Sequence, residues 1–194
     1  VQLAIHAMDM LRQQVRPESR IGTWIINGGT ASNVIPATGE LEVTVRHTER
    51  DYLNGLSEQI KKIFEGAALC TGTTVDVEFY GNPYDDMNQN HRGTHLIEEV
   101  MTNMGLDFEP GPADIGGSSD IGNVSYQCAA FHPKLRLAGP DKVCHAKEFA
   151  DAMLEPTIEQ TIVDGANIIG GTLLRLVENP TVLEEIVAEF NATK

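Results

Sequence analysis

Cations are scarce in this 194-residue chain: 14 Lys and Arg stand against 28 Asp and Glu, a formal net charge of −14. Nucleic acid and anionic membranes both require clustered cations, so this balance argues against either as a partner. Cysteine is equally sparse. Cys70, Cys128 and Cys144 are odd in number and irregularly spaced, which does not describe a disulfide framework and suits a reducing, cytoplasmic setting. No apolar run is long enough to cross a bilayer, and the N-terminus lacks the shape of a signal peptide. Nothing resembles a Walker loop, and neither G-x-G-x-x-G nor G-x-S-x-G occurs. There is no internal repeat and no low-complexity segment.

What is present suffices for a folded body. Hydrophobic residues make up 41% of the chain, enough to bury a core in one large domain or two small ones. Residues 1–15 read as an amphipathic helix with Ala4, Met8, Leu11 and Val15 on one stripe, ended by Pro17. Ile21–Ile26 reads as a β-branched strand carrying the only tryptophan, Trp24. A second strand is expected over 40–47, a helix over 49–68, and a third strand over Thr73–Tyr80, where Val75, Val77 and Phe79 alternate with polar residues. The order α-β-β-α-β is a two-layer sandwich without its first strand. One more strand upstream would complete a ferredoxin-like βαββαβ unit. The first residue is not Met and the chain opens inside a helix, so a fragment of a longer protein is expected.

Gly81-Asn82-Pro83 is the best boundary, dividing the chain into 1–82 and 83–194. Beyond it, helices are expected at His91–Met104, at Thr157–Val177 and after Asn179-Pro180, where an N-cap precedes Pro at the first helical position. Between them lie a Pro/Gly-rich loop over 106–112 and a Gly/Ser-rich stretch over 116–125. Cys144–Met153 reads as a loop entering a helix.

Four places carry candidate chemistry. In Gly28–Arg46, a glycine pair leads through a polar turn to Asn33-Val34-Ile35-Pro36 and then into a strand. Leu41, Val43 and Val45 fall on one face of that strand, and Glu42, Thr44 and Arg46 on the other. The Asn33 amide and the Arg46 guanidinium suit a carboxylate or a polarised carbonyl, although a plain turn with a solubilising arginine has the same pattern. The loop Gly116-Gly117-Ser118-Ser119-Asp120 offers a close-approaching backbone, two hydroxyls and a carboxylate; it is equally compatible with a helix-capping turn. His145, in His-Ala-Lys-Glu-Phe after Cys144, stands where a metal ligand, a capping group or a surface residue would all fit. His91 and His95 have the i, i+4 spacing of a metal-binding pair, with Glu98 and Glu99 following, but lack the intervening glutamate of a zincin helix.

Three of these stretches in register resemble the dinuclear-zinc amidohydrolase and metallopeptidase family that includes aminoacylase, glutamate carboxypeptidase, succinyl-diaminopimelate desuccinylase and p-aminobenzoyl-glutamate hydrolase. They are GGTASNVIP with the strand ending in Val45-Arg46, then GSSDIGNVS, then HAKEFADA. The GSSDIGNVS form is most similar to the aminobenzoyl-glutamate hydrolase and dipeptidase-like branch. The resemblance spans essentially the whole chain and places it in the C-terminal half of that fold. It implies an α/β architecture. Residues 1–82 would be a ferredoxin-like α+β lid, or dimerisation, domain without its first strand, and 83–194 the C-terminal part of the zinc-binding α/β catalytic domain.

The resemblance also implies roles. Asn33 and Arg46 would bind substrate, with Ser118, Ser119 and Asp120 lining the pocket and His145 a zinc ligand. His91 and His95 match no ligand of the family. The other ligands of a two-zinc site, the bridging aspartate and the glutamate general base would lie upstream. By this reading no catalytic residue lies in the chain, and on its own it would be inactive. The whole protein, a homodimer through its lid domain, would use two divalent metal ions to hydrolyse an amide in an N-acyl amino acid, an aminobenzoyl-glutamate-like compound or a dipeptide. The rival expectation is a non-catalytic dimerisation or small-ligand-binding module.

Overall fold

The computed structural model describes residues 1–110, 117–137, 139 and 142–193. It divides into two compact units, Val1–Asp86 and Met87–Lys194, a boundary a few residues beyond Gly81-Asn82-Pro83.

The first unit is two helices on a two-stranded sheet. The strands β1 (Arg20–Asn27) and β2 (Glu40–Arg46) are antiparallel, with Ile21 opposite Val45, Thr23 opposite Val43 and Ile25 opposite Leu41. The register slips by one between Ile25 and Asn27, a bulge just before the connecting loop. Period-two alternation sends Ile21, Leu41, Val43 and Val45 to one face, where they pack with Met8 of α1 (Gln2–Leu11) and with Leu56 and Ile60 of α2 (Arg50–Thr71). Trp24 and its cross-strand partner Glu42 lie on the opposite face, and Trp24 stays largely exposed. The first helix stops at Leu11, short of the expected Val15. Arg12-Gln13-Gln14 has no apolar residue to bury and winds into single turns instead. The second helix runs to Thr71, where Gly72 closes it in the left-handed conformation (φ 66°).

The expected strand over Thr73–Tyr80 does not pair. The segment belongs to no sheet and is exposed throughout, although the Tyr80 hydroxyl donates to Glu42 Oε1 at 3.0 Å. Alternation marks a segment able to join a ladder, but a strand exists only where a neighbour supplies the hydrogen bonds.

The second unit is helical. Three helices, α3 (His91–Asn103), α6 (Thr157–Glu178) and α7 (Pro180–Thr193), enclose its core, with the short α4 (Ile121–Ser125) and α5 (Lys147–Asp151) between them in sequence. Leu96 of α3 meets Val182 and Ile186 of α7, while Ile97 and Met101 meet Ile168 of α6. The junction of α3 with α7 is polar. Buried Asn90 caps α3, its Oδ1 accepting from Gly93 N at 2.8 Å, and its Nδ2 donates to Ile186 O at 2.9 Å. The Glu189 carboxylate accepts from the main-chain N–H of His91 and of Arg92, both at 2.8 Å, filling the anion site of the helix N-terminus. Arg92 Nε donates in turn to Glu185 at 2.6 Å. Among the described residues, no helix is long and apolar enough to cross a membrane.

Candidate functional site

In the first unit the candidate groups stand on a hairpin. Its connecting loop is held at the neck by Asn27, whose Oδ1 accepts from Gly29 N at 3.0 Å and whose Nδ2 donates to Thr38 O at 3.3 Å. This one carboxamide ties the start of the loop to its end. Gly29 adopts φ 114°, and a Cβ there would lie 2.6 Å from Pro36 Cγ, so both the backbone and the packing of this turn require glycine. Val34 N closes an inner turn onto Ala31 O at 3.3 Å. Asn33 is presented to solvent on that turn, beside Ile35, which is 94% exposed. Arg46 is exposed at the end of β2, directly across from Arg20. The Arg20 guanidinium is turned onto the Pro17 and Ser19 carbonyls at 2.6 and 2.8 Å, which gives its charge acceptors of its own opposite Arg46.

In the second unit, Ser118, Ser119 and Asp120 enter α4. The Ser119 hydroxyl lies 3.4 Å from Asp120 Oδ1 and, at the same distance, accepts from Ile121 N. Asp120 occupies the N-cap position, yet its side chain makes no capping bond. The loop's bond to the start of the helix comes from Ser119 instead, which keeps the stretch compatible with a capping turn. Gly116 lies outside the described residues. At the other end of α4, fully buried Ser125 accepts from Asn88 N at 2.8 Å and donates to Gly122 O at 2.6 Å, fixing the helix that carries the loop.

His145 has φ 69°, the one non-glycine residue with positive φ among those described. An L-residue held there costs about 1–2 kcal/mol relative to the right-handed region. The strain sits just ahead of α5, where Ala146 N bonds back to Val143 O at 3.3 Å. Both Cys144 and His145 are exposed.

The described residues do not by themselves make a metal centre. Among those described, no group of three or more His, Cys, Asp or Glu side chains could hold a metal ion, and one imidazole does not retain one. The His91–His95 pair resolves otherwise. The His95 ring lies 3.4 Å from Glu98 and from Glu99, ordinary i+3 and i+4 neighbours on one helix face, while the main-chain N–H of His91 is bonded to Glu189. The side chains of His95, Glu98 and Glu99 line one wall of an open cavity of about 480 Å³, with Thr102, Asn103, Phe108 and Pro110 completing it. The sequence pattern marked His95, Glu98 and Glu99 but not the cavity, because Phe108 and Pro110 come from the loop after the helix and only the fold brings them to it.

The chain matches no protein-family model. Its curated relatives are amide hydrolases. It is 30% identical over 191 residues to the Xaa-Arg dipeptidase of Mus musculus, a match covering 97% of the chain and 44% of the relative. It is 32% identical over 90 residues to the N-acetyldiaminopimelate deacetylase of Leuconostoc citreum, covering 46% of the chain and 23% of that protein. Over 80 residues it is 32% identical to one of the polypeptides of the p-aminobenzoyl-glutamate hydrolase of Escherichia coli, covering 41% of the chain and 17% of that polypeptide. The chain spans less than half the length of the curated relatives it matches.

Proposed function

From the relationship of this chain to the amidohydrolase and metallopeptidase family, we propose that it is the substrate-gripping and part of the metal-binding portion of an enzyme that hydrolyses an amide bond. Residues 1–82 would form the lid, or dimerisation, domain and residues 83–194 the C-terminal part of the catalytic domain. The substrate would be an N-acyl amino acid, an aminobenzoyl-glutamate-like compound or a dipeptide, in keeping with what the relatives' names say of them. Arg46 would take the substrate carboxylate in a bidentate grip, for which a planar guanidinium on a strand end is suited. Asn33 would add its amide from the hairpin loop, with Ser118, Ser119 and Asp120 lining the pocket.

His145 would be one ligand of a two-metal site whose other ligands, and whose general base, lie outside these 194 residues. The observation that carries this role is the left-handed backbone at His145. Strain of this kind persists where the surroundings over-determine a residue, as they do at functional sites. The unpaired Thr73–Tyr80 segment supports the same view of the first unit, since a ferredoxin-like sheet with one strand missing leaves a segment without its neighbour. On this reading the isolated chain is inactive, because no cluster of its described residues holds a metal.

The test is kinetic. In the full-length protein, Arg46→Lys keeps the charge and loses the fork, so kcat/KM for carboxylate-bearing dipeptides and N-acyl amino acids should fall at least tenfold, about 1.4 kcal/mol. An unchanged kcat/KM removes Arg46 from substrate binding. Absence of any amide hydrolysis by the metal-loaded full-length protein overturns the reading as a whole and leaves the dimerisation or ligand-binding module.

A further inference from the structure

The sheet of the first unit has a second face. The alternation that sends Ile21, Val43 and Val45 onto the helices turns Arg20, Gly22 and Trp24, with Glu42, Thr44 and Arg46, the other way. Cross-strand pairing fixes their order along this face: Arg20 opposite Arg46, Gly22 opposite Thr44, Trp24 opposite Glu42. One end therefore carries two guanidinium groups, and the other a carboxylate beside an indole. The floor between them is low, because Gly22 has no side chain and only Thr44 lies within 4 Å of where a Cβ would stand.

An exposed aromatic residue alone is ordinary. Here it is paired with a carboxylate that is held in place. Glu42 is half-buried, and the Tyr80 hydroxyl donates to its Oε1 at 3.0 Å, a bond that fixes one oxygen and leaves the group its charge. Trp24 is 64% exposed, and direct cross-strand pairing puts its Cβ about 5 Å from that of Glu42. An indole face and a carboxylate so placed suit an ammonium or guanidinium, one through the π system and the other through charge. An apolar group seated there would desolvate Glu42 without compensation.

We infer that this face selects a substrate carrying a cation remote from its carboxylate. Arg46 takes the carboxylate, while Trp24 and Glu42 take the cation. Four strand residues separate Glu42 from Arg46, so their Cα atoms lie about 13 Å apart. A ligand reaching between the two side chains has the length of a lysine-like amino acid or a dipeptide. The inference rests on the carboxylate-binding role proposed for Arg46, and it adds the charge of the substrate's other end.

Trp24 is the only tryptophan of the chain, so its fluorescence reports binding directly, without hydrolysis. At low ionic strength, N-acetyl-lysine should bind about fivefold to tenfold more tightly than N-acetyl-norleucine, the combined worth of an exposed ion pair and a cation–π contact. Glycyl-norleucine, whose cation is the terminal amine, tells which end of a dipeptide supplies the charge. Glu42→Gln keeps an acceptor for Tyr80 and should abolish the preference. Glu65→Gln, an exposed position on α2, should not, which separates this site from general attraction to an acidic chain. N-acetyl-lysine amide lacks the carboxylate and should bind as weakly as N-acetyl-norleucine.

The inference is overturned if neither cationic ligand binds more tightly than N-acetyl-norleucine, or if no ligand changes the fluorescence. It is also overturned if the amide binds as well as the acid, or if Glu65→Gln costs as much as Glu42→Gln. Charge-selective binding without amide hydrolysis by the metal-loaded full-length protein would remove the hydrolase reading and leave this site standing. Hydrolysis whose kcat/KM ratio for glycyl-lysine over glycyl-norleucine ignores Glu42→Gln would do the reverse.

Discussion

Asn90 is 2% exposed, and its carboxamide bonds two helices at once. Its oxygen caps α3 through Gly93 N at 2.8 Å, and its nitrogen donates to Ile186 O of α7 at 2.9 Å. Replacement by Ala removes the cap, worth about 1 kcal/mol, and strands a buried N–H at a further cost of about 1–2 kcal/mol. Ile186 O keeps its own helical bond, so its loss is smaller. A fall of about 2–3 kcal/mol is expected for the second unit, a large share of a typical domain's 5–15 kcal/mol.

Asn90→Asp is the sharper perturbation. It keeps the cap acceptor but sets a carboxylate oxygen against the Ile186 carbonyl in a buried site. Burial and that contact both favour the protonated acid, so the native state would bind a proton more tightly than the unfolded chain. Relative to wild type, the variant's deficit should therefore be greatest at neutral pH and shrink as pH falls, because the protonated carboxyl recovers the donor. Urea unfolding read by hydrogen exchange at α3 and α7 amides measures both effects. Trp24, the only tryptophan, lies in the other unit and serves as an internal reference. Stability within about 0.5 kcal/mol of wild type for Asn90→Ala, the scatter of an ordinary surface substitution, or a deficit in Asn90→Asp that grows on acidification, would refute the reasoning.

Three other outcomes are expected. Gly93→Ala should destabilise despite the roughly 1 kcal/mol it gains in helix propensity, because the added Cβ would lie 2.1 Å from Phe131 Cε1. Overpacking of about 1–3 kcal/mol should lower the urea midpoint, and a smaller side chain at Phe131 should recover part of it. Glu189→Gln removes a charge from the N-terminus of α3 and leaves one oxygen for two N–H donors now bound at 2.8 Å. A loss of about 1–2 kcal/mol in urea unfolding is expected. Cys70, Cys128 and Cys144 are free and exposed, so native protein should titrate three thiols with a chromogenic disulfide under non-denaturing conditions. A lower number would mean that one of them is covered in solution.

Periodicity located the helices and the hairpin because each buries one face. The i, i+3, i+4 pattern of Leu56 and Ile60 and the alternation of Leu41, Val43 and Val45 both converge on Met8 and Ile21. The same criterion failed at Thr73–Tyr80. Alternation states which side of a segment is apolar, not whether a neighbouring strand exists to pair with it.

Composition alone set the acidic balance and the scarcity of thiols, and the three motifs in register pointed to the same amide hydrolases to which the chain proves similar. Only the tertiary structure decided the rest. It placed Glu189 against the N-terminus of α3, nearly a hundred residues away in the chain, and left one side of α6 exposed. It also gave His145 a backbone that an isolated peptide would avoid. Such features depend on which surfaces meet across long sequence separations, and a local pattern of residues carries no information about a contact whose other half lies elsewhere.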